Sequence, residues 1–211
     1  MEEPIARKKP IYLATLLEPS GRRMQYSFYA MSENGLSELA EQNEELAAIH
    51  HLPKAYSESL RASIEKKGMR KLGYIRYALK NGEATSKSYW PKNPNSMKYK
   101  AHTNWEKKVM GVRGLGAYLE LISTHHLEKQ GMKTISTTEL PSIDRLMQLN
   151  KAGLAKLTKE ELMELKESKS TDAISNLYEE LRKKKLPVKA PIRDWKRGLG
   201  KVVKKGLDGS A

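Results

Sequence analysis

The stretch from Lys107 to Leu154 constrains the fold more than any other part of the chain. A short apolar run is followed by Arg-Gly-Leu-Gly, then by an amphipathic pattern that ends at Gly131, then by Thr and Ser alternating with apolar residues. A polar break at 140–142 leads into a short helical pattern that ends in Ala-Gly-Leu. Spacing that changes between a period of two and a period of about 3.6 is typical of strands that alternate with helices. The segment therefore predicts an α/β fold with a mixed sheet.

The residues before this segment predict two hairpins and two helices. Alternating apolar residues around Pro-Ser-Gly predict a hairpin over 11–30. An Asn-Gly pair between two aromatic runs predicts a second hairpin over 72–90. Apolar residues at helical spacing predict one helix that is capped by Ser32 and ends before Pro53, and a second helix over 56–67.

The pattern changes again after residue 155, where it becomes helical and charged. Pro187 and Pro191 predict a linker between these helices and a cationic tail. We therefore predict an α/β domain over 1–155 and a helical, basic C-terminal extension over 156–211.

The turn from Arg113 to Tyr118 has the chemistry of an anion site. Gly114 and Gly116 allow the backbone to approach a bound group, and a helix that begins near Gly116 points unpaired N–H groups at the same place. The helix dipole adds a partial positive charge and Arg113 adds a full one, which suits a diphosphate. The dinucleotide-binding spacing G-x-G-x-x-G is not met, because Leu119 stands at the third glycine position.

On these residues the segment resembles the GNAT superfamily of acyl-CoA-dependent N-acyltransferases. That family has an Arg/Gln-x-x-Gly-x-Gly/Ala loop after a central strand, to which Arg113-Gly-Leu-Gly-Ala-Tyr118 is similar. Residues 130–136 resemble the helix exit and strand that follow this loop, and Ser142–Leu154 resembles the next helix. The resemblance covers 48 of the 211 residues.

The resemblance implies a GNAT-like domain that transfers an acyl group from acetyl-CoA or another acyl-CoA to an amine. It also implies that the edge of strand 109–112 bonds the pantetheine arm, and that the diphosphate is held by a loop of seven residues: Val112, Arg113, Gly114, Leu115, Gly116, Ala117 and Tyr118. Two positions depart from the family pattern. Tyr118 stands where Gly or Ala is usual, and Leu149 stands where a tyrosine often protonates the leaving thiolate.

No catalytic residue follows from the sequence. Glu106 and Glu139 are candidates for the base that accepts the amine proton, although a glutamate at such a position is more often a solvated carboxylate.

The charge of the chain indicates a partner rich in phosphate. Lys and Arg number 39 against 25 Asp and Glu, which gives a net charge of +14. Residues 51–100 contain 12 bases and 3 acids, and residues 182–211 contain 11 bases and 2 acids. Such zones attract nucleic acid or a cofactor that bears phosphates. The alternative prediction is therefore a non-catalytic basic protein on a degenerate GNAT-like fold, which binds nucleic acid through these zones or assembles into a phage virion or ribonucleoprotein particle.

Two segments have more than one interpretation. Tyr74 to Trp105 interleaves aromatic residues with bases, so that rings could stack on nucleobases while lysines follow phosphates. Tyr74 and Tyr77 themselves are better explained as sheet residues that pack against helices. The tail from Arg193 to Leu207 places apolar residues at helical spacing opposite cations. It could lie on an anionic membrane, follow a nucleic acid, dock on the domain or stay disordered.

Several classes of protein are excluded. The chain has no cysteine, which excludes disulfides, Cys-ligated zinc and a thiol nucleophile. Histidines adjacent in sequence, at 50–51 and 125–126, cannot chelate one ion from a helix, because they point about 100° apart, and no metal site is predicted. No apolar run reaches about 18 residues, and the first ten residues lack the apolar core of a secretory signal. We therefore expect a soluble, cytoplasmic protein.

Overall fold

The computed structural model describes residues 9–42, 46–89, 114–138, 143–167 and 171–208. Its strands are β1 (Tyr12–Ser20), β2 (Arg23–Met31), β3 (Leu46–His51), β4 (Met69–Lys80), β5 (Glu83–Tyr89), β6 (Thr134–Thr137) and β7 (Val188–Pro191). The helices within these ranges are α1 (Glu33–Gln42), α2 (Lys54–Lys67), α3 (Leu115–Lys129), α4 (Ile143–Lys151), α5 (Lys159–Glu167), α6 (Thr171–Lys185) and α7 (Ile192–Asp208). The predicted α/β class with a mixed sheet is confirmed.

The seven strands form one sheet in the order β3-β1-β2-β4-β5-β6-β7. Neighbouring strands are antiparallel except for β5 and β6, which are parallel. The two predicted hairpins are confirmed as β1–β2 and β4–β5. In the second hairpin Asn81 and Gly82 both have a positive φ, which a tight two-residue hairpin turn requires.

The parallel pairing between β5 and β6 is short. The chain leaves β5 and returns to β6 by way of α3. Only the first four residues of β5 pair with β6, and the last pairing joins Ser86 to Thr137. Residues 87–89 of β5 continue beyond this point and pair with β4.

The register gives the sheet two unlike faces, because residues paired across antiparallel strands point to the same side. The core face contains Tyr26, Phe28, Ile75 and Tyr77, all buried, and they share one hydrophobic cluster with residues of α2 and α3. The opposite side, the polar face, includes Gln25, Ser27, Tyr29, Lys71, Tyr74 and Arg76.

Helix α7 contributes to the core of the domain. Trp195, Leu199 and Val203, at helical spacing, are buried, and Trp195 is fully buried. Gly198 permits this close packing, because a Cβ there would lie 2.4 Å from the carbonyl oxygen of Ala152. Of the four alternatives predicted for the tail, the structure therefore shows docking on the domain.

Two sequence predictions about the edges of the sheet are wrong. The helix predicted from Ser32 to just before Pro53 ends at Gln42, and Leu46–His51 is strand β3. Pairing with β1 decides the conformation of a short apolar run that suits either structure. The linker predicted at Pro187 and Pro191 contains β7, which pairs with β6. An edge strand tolerates proline, since its outer N–H groups have no neighbour strand to meet.

Candidate anion site at the start of helix α3

The predicted site residues lie at the N-terminus of α3, except Val112 and Arg113, which lie outside the described residues. Gly114 is the N-cap residue, and its φ of 97° is in the left-handed region that favours glycine. The helix begins at Leu115, so Gly116 has helical backbone and is not a turn residue. Of the other first-turn residues, Leu115 and Ala117 are buried and Tyr118 is half-buried.

The start of α3 presents backbone N–H groups with no cap from a side chain. The N–H of Tyr118 donates to the carbonyl oxygen of Gly114 at 3.0 Å, which is the first bond of the helical ladder. The N–H groups of residues 115–117 precede that ladder and cannot be satisfied within the helix. They lie at the positive end of a 15-residue helix.

Two tyrosines and α7 surround the left-handed glycine. A Cβ on Gly114 would lie 3.5 Å from Tyr56 Oη, 3.6 Å from the Val202 carbonyl oxygen and 3.7 Å from Gly206 Cα. The rings of Tyr56 and Tyr118 are 5.5 Å apart between centroids. Burial raises the pKa of Tyr56 to about 12 and also raises the pKa of Tyr118. Both phenols are therefore neutral at pH 7 and add no negative charge beside the helix terminus.

A buried polar network fixes α3 against α4 and α7. Both carboxylate oxygens of Glu120 accept hydrogen bonds from the guanidinium of Arg145, and Oε1 also accepts one from Trp195 Nε1 at 3.0 Å. Burial by itself lowers the pKa of Arg145, but the charge and hydrogen bonds of Glu120 outweigh it, so the pKa is raised. We call these three residues the Glu120–Arg145–Trp195 network.

The sequence analysis did not predict this network, although the position of Glu120 in the sequence was a signal for it. Glu120 is a single carboxylate between Leu119 and the apolar pair Leu121-Ile122 in a helix that is otherwise apolar at this point. A charge at such a position must find a partner, because an unpaired buried charge is very costly. Since both oxygens of Glu120 are already hydrogen-bonded, this carboxylate positions helices and is not available as a catalytic base.

The remaining predicted residues contribute little to the described site. Leu149 is fully buried, and its hydrocarbon side chain has no proton to donate. Glu106, Glu139 and strand 109–112 lie outside the described residues. In the described sheet β6 pairs with β5 and β7.

The histidines do not form a metal site in the described part of the chain. His50 and His51 lie on strand β3, where neighbours point to opposite faces, rather than on the predicted helix. His126 Nδ1 lies 2.9 Å from Tyr26 Oη, and burial, followed by the charge of Lys129, lowers the pKa of His126. Within the described residues no three His, Asp or Glu side chains are grouped so that they could hold a metal ion.

Comparison of this chain with models of protein families, with curated protein sequences and with solved structures finds no match. In the described ranges, no helix combines the length and apolar character needed to cross a bilayer.

Proposed function

We propose that the chain binds an acyl-CoA at the N-terminus of α3 and transfers the acyl group to an amine. One observation supports this most directly. Gly114, in the left-handed conformation and without a side-chain cap, is the N-cap of the 15-residue helix α3, which lies in the crossover between β5 and β6. Backbone N–H groups and the helix dipole at such a terminus suit the diphosphate of a nucleotide thioester. The neutral phenols of Tyr56 and Tyr118 do not oppose a bound anion.

The edge of β5 beyond its pairing with β6 is the binding place that we propose for the rest of the cofactor. Beyond Ser86 the described part of β5 pairs with β4 alone. A strand edge with this geometry presents N–H and C=O groups that match the amides of a pantetheine arm. In the transfer step the amine nitrogen attacks the thioester carbonyl, the thiolate leaves, and a carboxylate or water accepts the ammonium proton.

A titration with acetyl-CoA tests the binding step. A ligand at 100 times its Kd should stabilise the fold by about 2.7 kcal/mol, which a thermal denaturation measures as a rise in Tm. Pantetheine without the diphosphate is the matched control and should give a much smaller rise. Equal rises with both compounds would contradict binding at the helix terminus.

A matched pair of substitutions at Gly116 locates the site. Gly116→Glu places a carboxylate where the helix dipole favours it by about 0.3–1 kcal/mol, so the fold should be kept while the diphosphate is repelled. Gly116→Gln adds nearly the same side chain without the charge and should retain the acetyl-CoA shift. Retention of the shift by both variants would place the ligand elsewhere.

Release of free CoA tests the transfer step. Because the chain has no cysteine, a thiol reagent detects released CoA with no background from the protein. Thiol should appear only when acetyl-CoA and an acceptor amine are both present. A binding shift without thiol release from any amine would refute the transferase activity.

The second prediction, nucleic-acid binding through 51–100 and 182–211, stays a proposal. The described part of the second zone contributes β7 and α7 to the fold, and several of the cations on α7 are exposed: Arg193, Arg197, Lys201, Lys204 and Lys205.

A further inference from the structure

The polar face of the sheet combines aromatic rings and cations on two central strands. Three cross-strand pairs of β2 and β4 define it: Gln25 with Arg76, Ser27 with Tyr74, and Tyr29 with Lys71. Tyr29, Tyr74 and Arg76 are half-buried and Lys71 is exposed. The tyrosines of the core face differ, because Tyr26 and Tyr77 are fully buried. The sequence interpretation of Tyr77 as a core residue is confirmed, whereas Tyr74 lies on the other side of the sheet.

The cations of the polar face lie close to its aromatic rings. Lys71 Nζ lies 5.4 Å from the ring centroid of Tyr29 and 5.8 Å from that of Tyr74. Arg76 Cζ lies 5.8 Å from the centroid of Tyr74. One lysine therefore lies within cation–π distance of both rings, which places the two rings close enough to contact neighbouring nucleotides of one strand.

The two cations are not paired with carboxylates in the described part of the chain. Arg76 donates from Nε and Nη2 to Gln25 Oε1, at 3.3 and 2.8 Å, and that acceptor is neutral. The carboxylate of Glu18 accepts hydrogen bonds from Gln25 and Ser27. Positive charge beside aromatic rings is thus available to an anionic ligand.

The polar face extends toward the start of β2. Arg23, at the start of β2, belongs to the same face and is exposed.

We propose that the polar face binds single-stranded nucleic acid, with bases stacked on Tyr29 and Tyr74 and phosphates beside Lys71 and Arg76. Base stacking on aromatic side chains with cations along the backbone is the general mode of single-strand binding. A duplex fits this face less well, because its bases are stacked inside the helix and cannot stack on the tyrosines. An acidic protein would contact the cations but would not use the aromatic rings. This ligand goes beyond the proposed acyl-CoA, and α3 lies on the opposite face of the sheet, so the two sites share no residue.

Fluorescence anisotropy of the full chain with labelled oligonucleotides of about 15 nucleotides tests the proposal. Single-stranded DNA and RNA of the same sequence are separate arms, and a DNA duplex and polyglutamate are competitors. We expect either single strand to bind more tightly than the duplex, with an affinity that falls as salt rises. Equal binding of the duplex, or displacement by polyglutamate as efficient as by oligonucleotide, would overturn the proposal.

Substitutions separate stacking from charge. Tyr29→Leu and Tyr74→Leu keep apolar area but remove the ring, so each should weaken binding roughly 5- to 150-fold without changing the salt dependence. Lys71→Gln and Arg76→Gln should each reduce the slope of log affinity against log salt by about 0.7. Lys159→Gln, at an exposed lysine on α5 outside both basic zones, is the charge-matched control and should leave the slope unchanged.

The charge variants decide the outcome if the leucine variants do not fold, as circular dichroism would show. Unchanged affinity and slope in Lys71→Gln and Arg76→Gln would refute the site on the polar face. Because neither position touches α3, the acetyl-CoA shift of these variants reports separately on the proposed transferase site.

Discussion

Replacing Glu120 by glutamine tests the Glu120–Arg145–Trp195 network in the most direct way. The side chain of Glu120 is 2% exposed and that of Arg145 is 7% exposed. Glutamine keeps the shape of the side chain and one oxygen that can accept from Trp195 Nε1. It removes the negative charge that faces the guanidinium, so a buried cation loses its counter-charge.

The structure sets the size of the effect. Breaking a buried ion pair from one side costs about 3–5 kcal/mol. Arg145 also donates to Gln148 Oε1 at 3.0 Å, and this bond survives the substitution, so we expect a loss of about 3 kcal/mol. Because a domain is stable by only about 5–15 kcal/mol, the variant should fold but unfold at a much lower urea concentration.

Urea denaturation followed by tryptophan fluorescence measures this loss, and far-UV circular dichroism provides an independent signal. The double variant Glu120→Gln with Arg145→Met removes both charges and should be more stable than Glu120→Gln alone. A loss below about 1 kcal/mol in the single variant would refute the energetic role of the pair. The role would also be refuted if the double variant lost as much stability as Glu120→Gln and Arg145→Met lose when their separate losses are added.

Gly198 and Gly200 of α7 differ in what a methyl group would meet. Gly198→Ala should lose about 1–3 kcal/mol in urea denaturation, because its Cβ would lie 2.4 Å from the Ala152 carbonyl oxygen. Gly200→Ala has nothing within 4 Å and should gain up to about 1 kcal/mol; equal effects would contradict the packing of α7. At α5, Thr158 and Glu161 cap each other, so Thr158→Ala should cost about 1 kcal/mol in the same assay, and Thr158→Ser much less. Burial raises the pKa of Glu161, but the Thr158 N–H and two lysines of α6 outweigh burial and hold the pKa at about 2. A pKa lowered by folding stabilises the fold above the unfolded value of 4.5, so stability should fall as pH drops from about 5 toward 2. Glu161→Gln should flatten this part of the pH profile, and parallel profiles for the two proteins would contradict the assignment.

Local signals in the sequence predicted the hairpins and the longer helices well. The Asn81-Gly82 turn and the helical spacing of Trp195, Leu199 and Val203 each depend on residues close in sequence. The left-handed conformation at Gly114 was also predictable, since a glycine before a helical pattern is a local feature. Gly116 was not distinguishable from it, because the first residue of a helix cannot be fixed from spacing alone.

Contacts between distant residues account for what the sequence could not predict. Strand β3 forms because Leu46–His51 pairs with β1, and β7 forms because four residues pair with β6. The hydrogen bond between Glu120 and Trp195 joins residues 75 positions apart. The closeness of Val202 and Gly206 to the start of α3 depends on the same packing of α7, so the surroundings of the candidate site could not be deduced from its own segment.

Helix α7 also determines when folding can finish during synthesis. The hairpins β1–β2 and β4–β5 use neighbouring residues and can form early on the ribosome. Trp195 is a hydrogen-bond partner of Glu120 and the largest fully buried side chain of the core. It can take this place only after residues 192–208 have emerged. A nascent chain that stalls before Trp195 therefore exposes an apolar cavity and an incompletely bonded carboxylate, which are features that chaperones and proteases recognise.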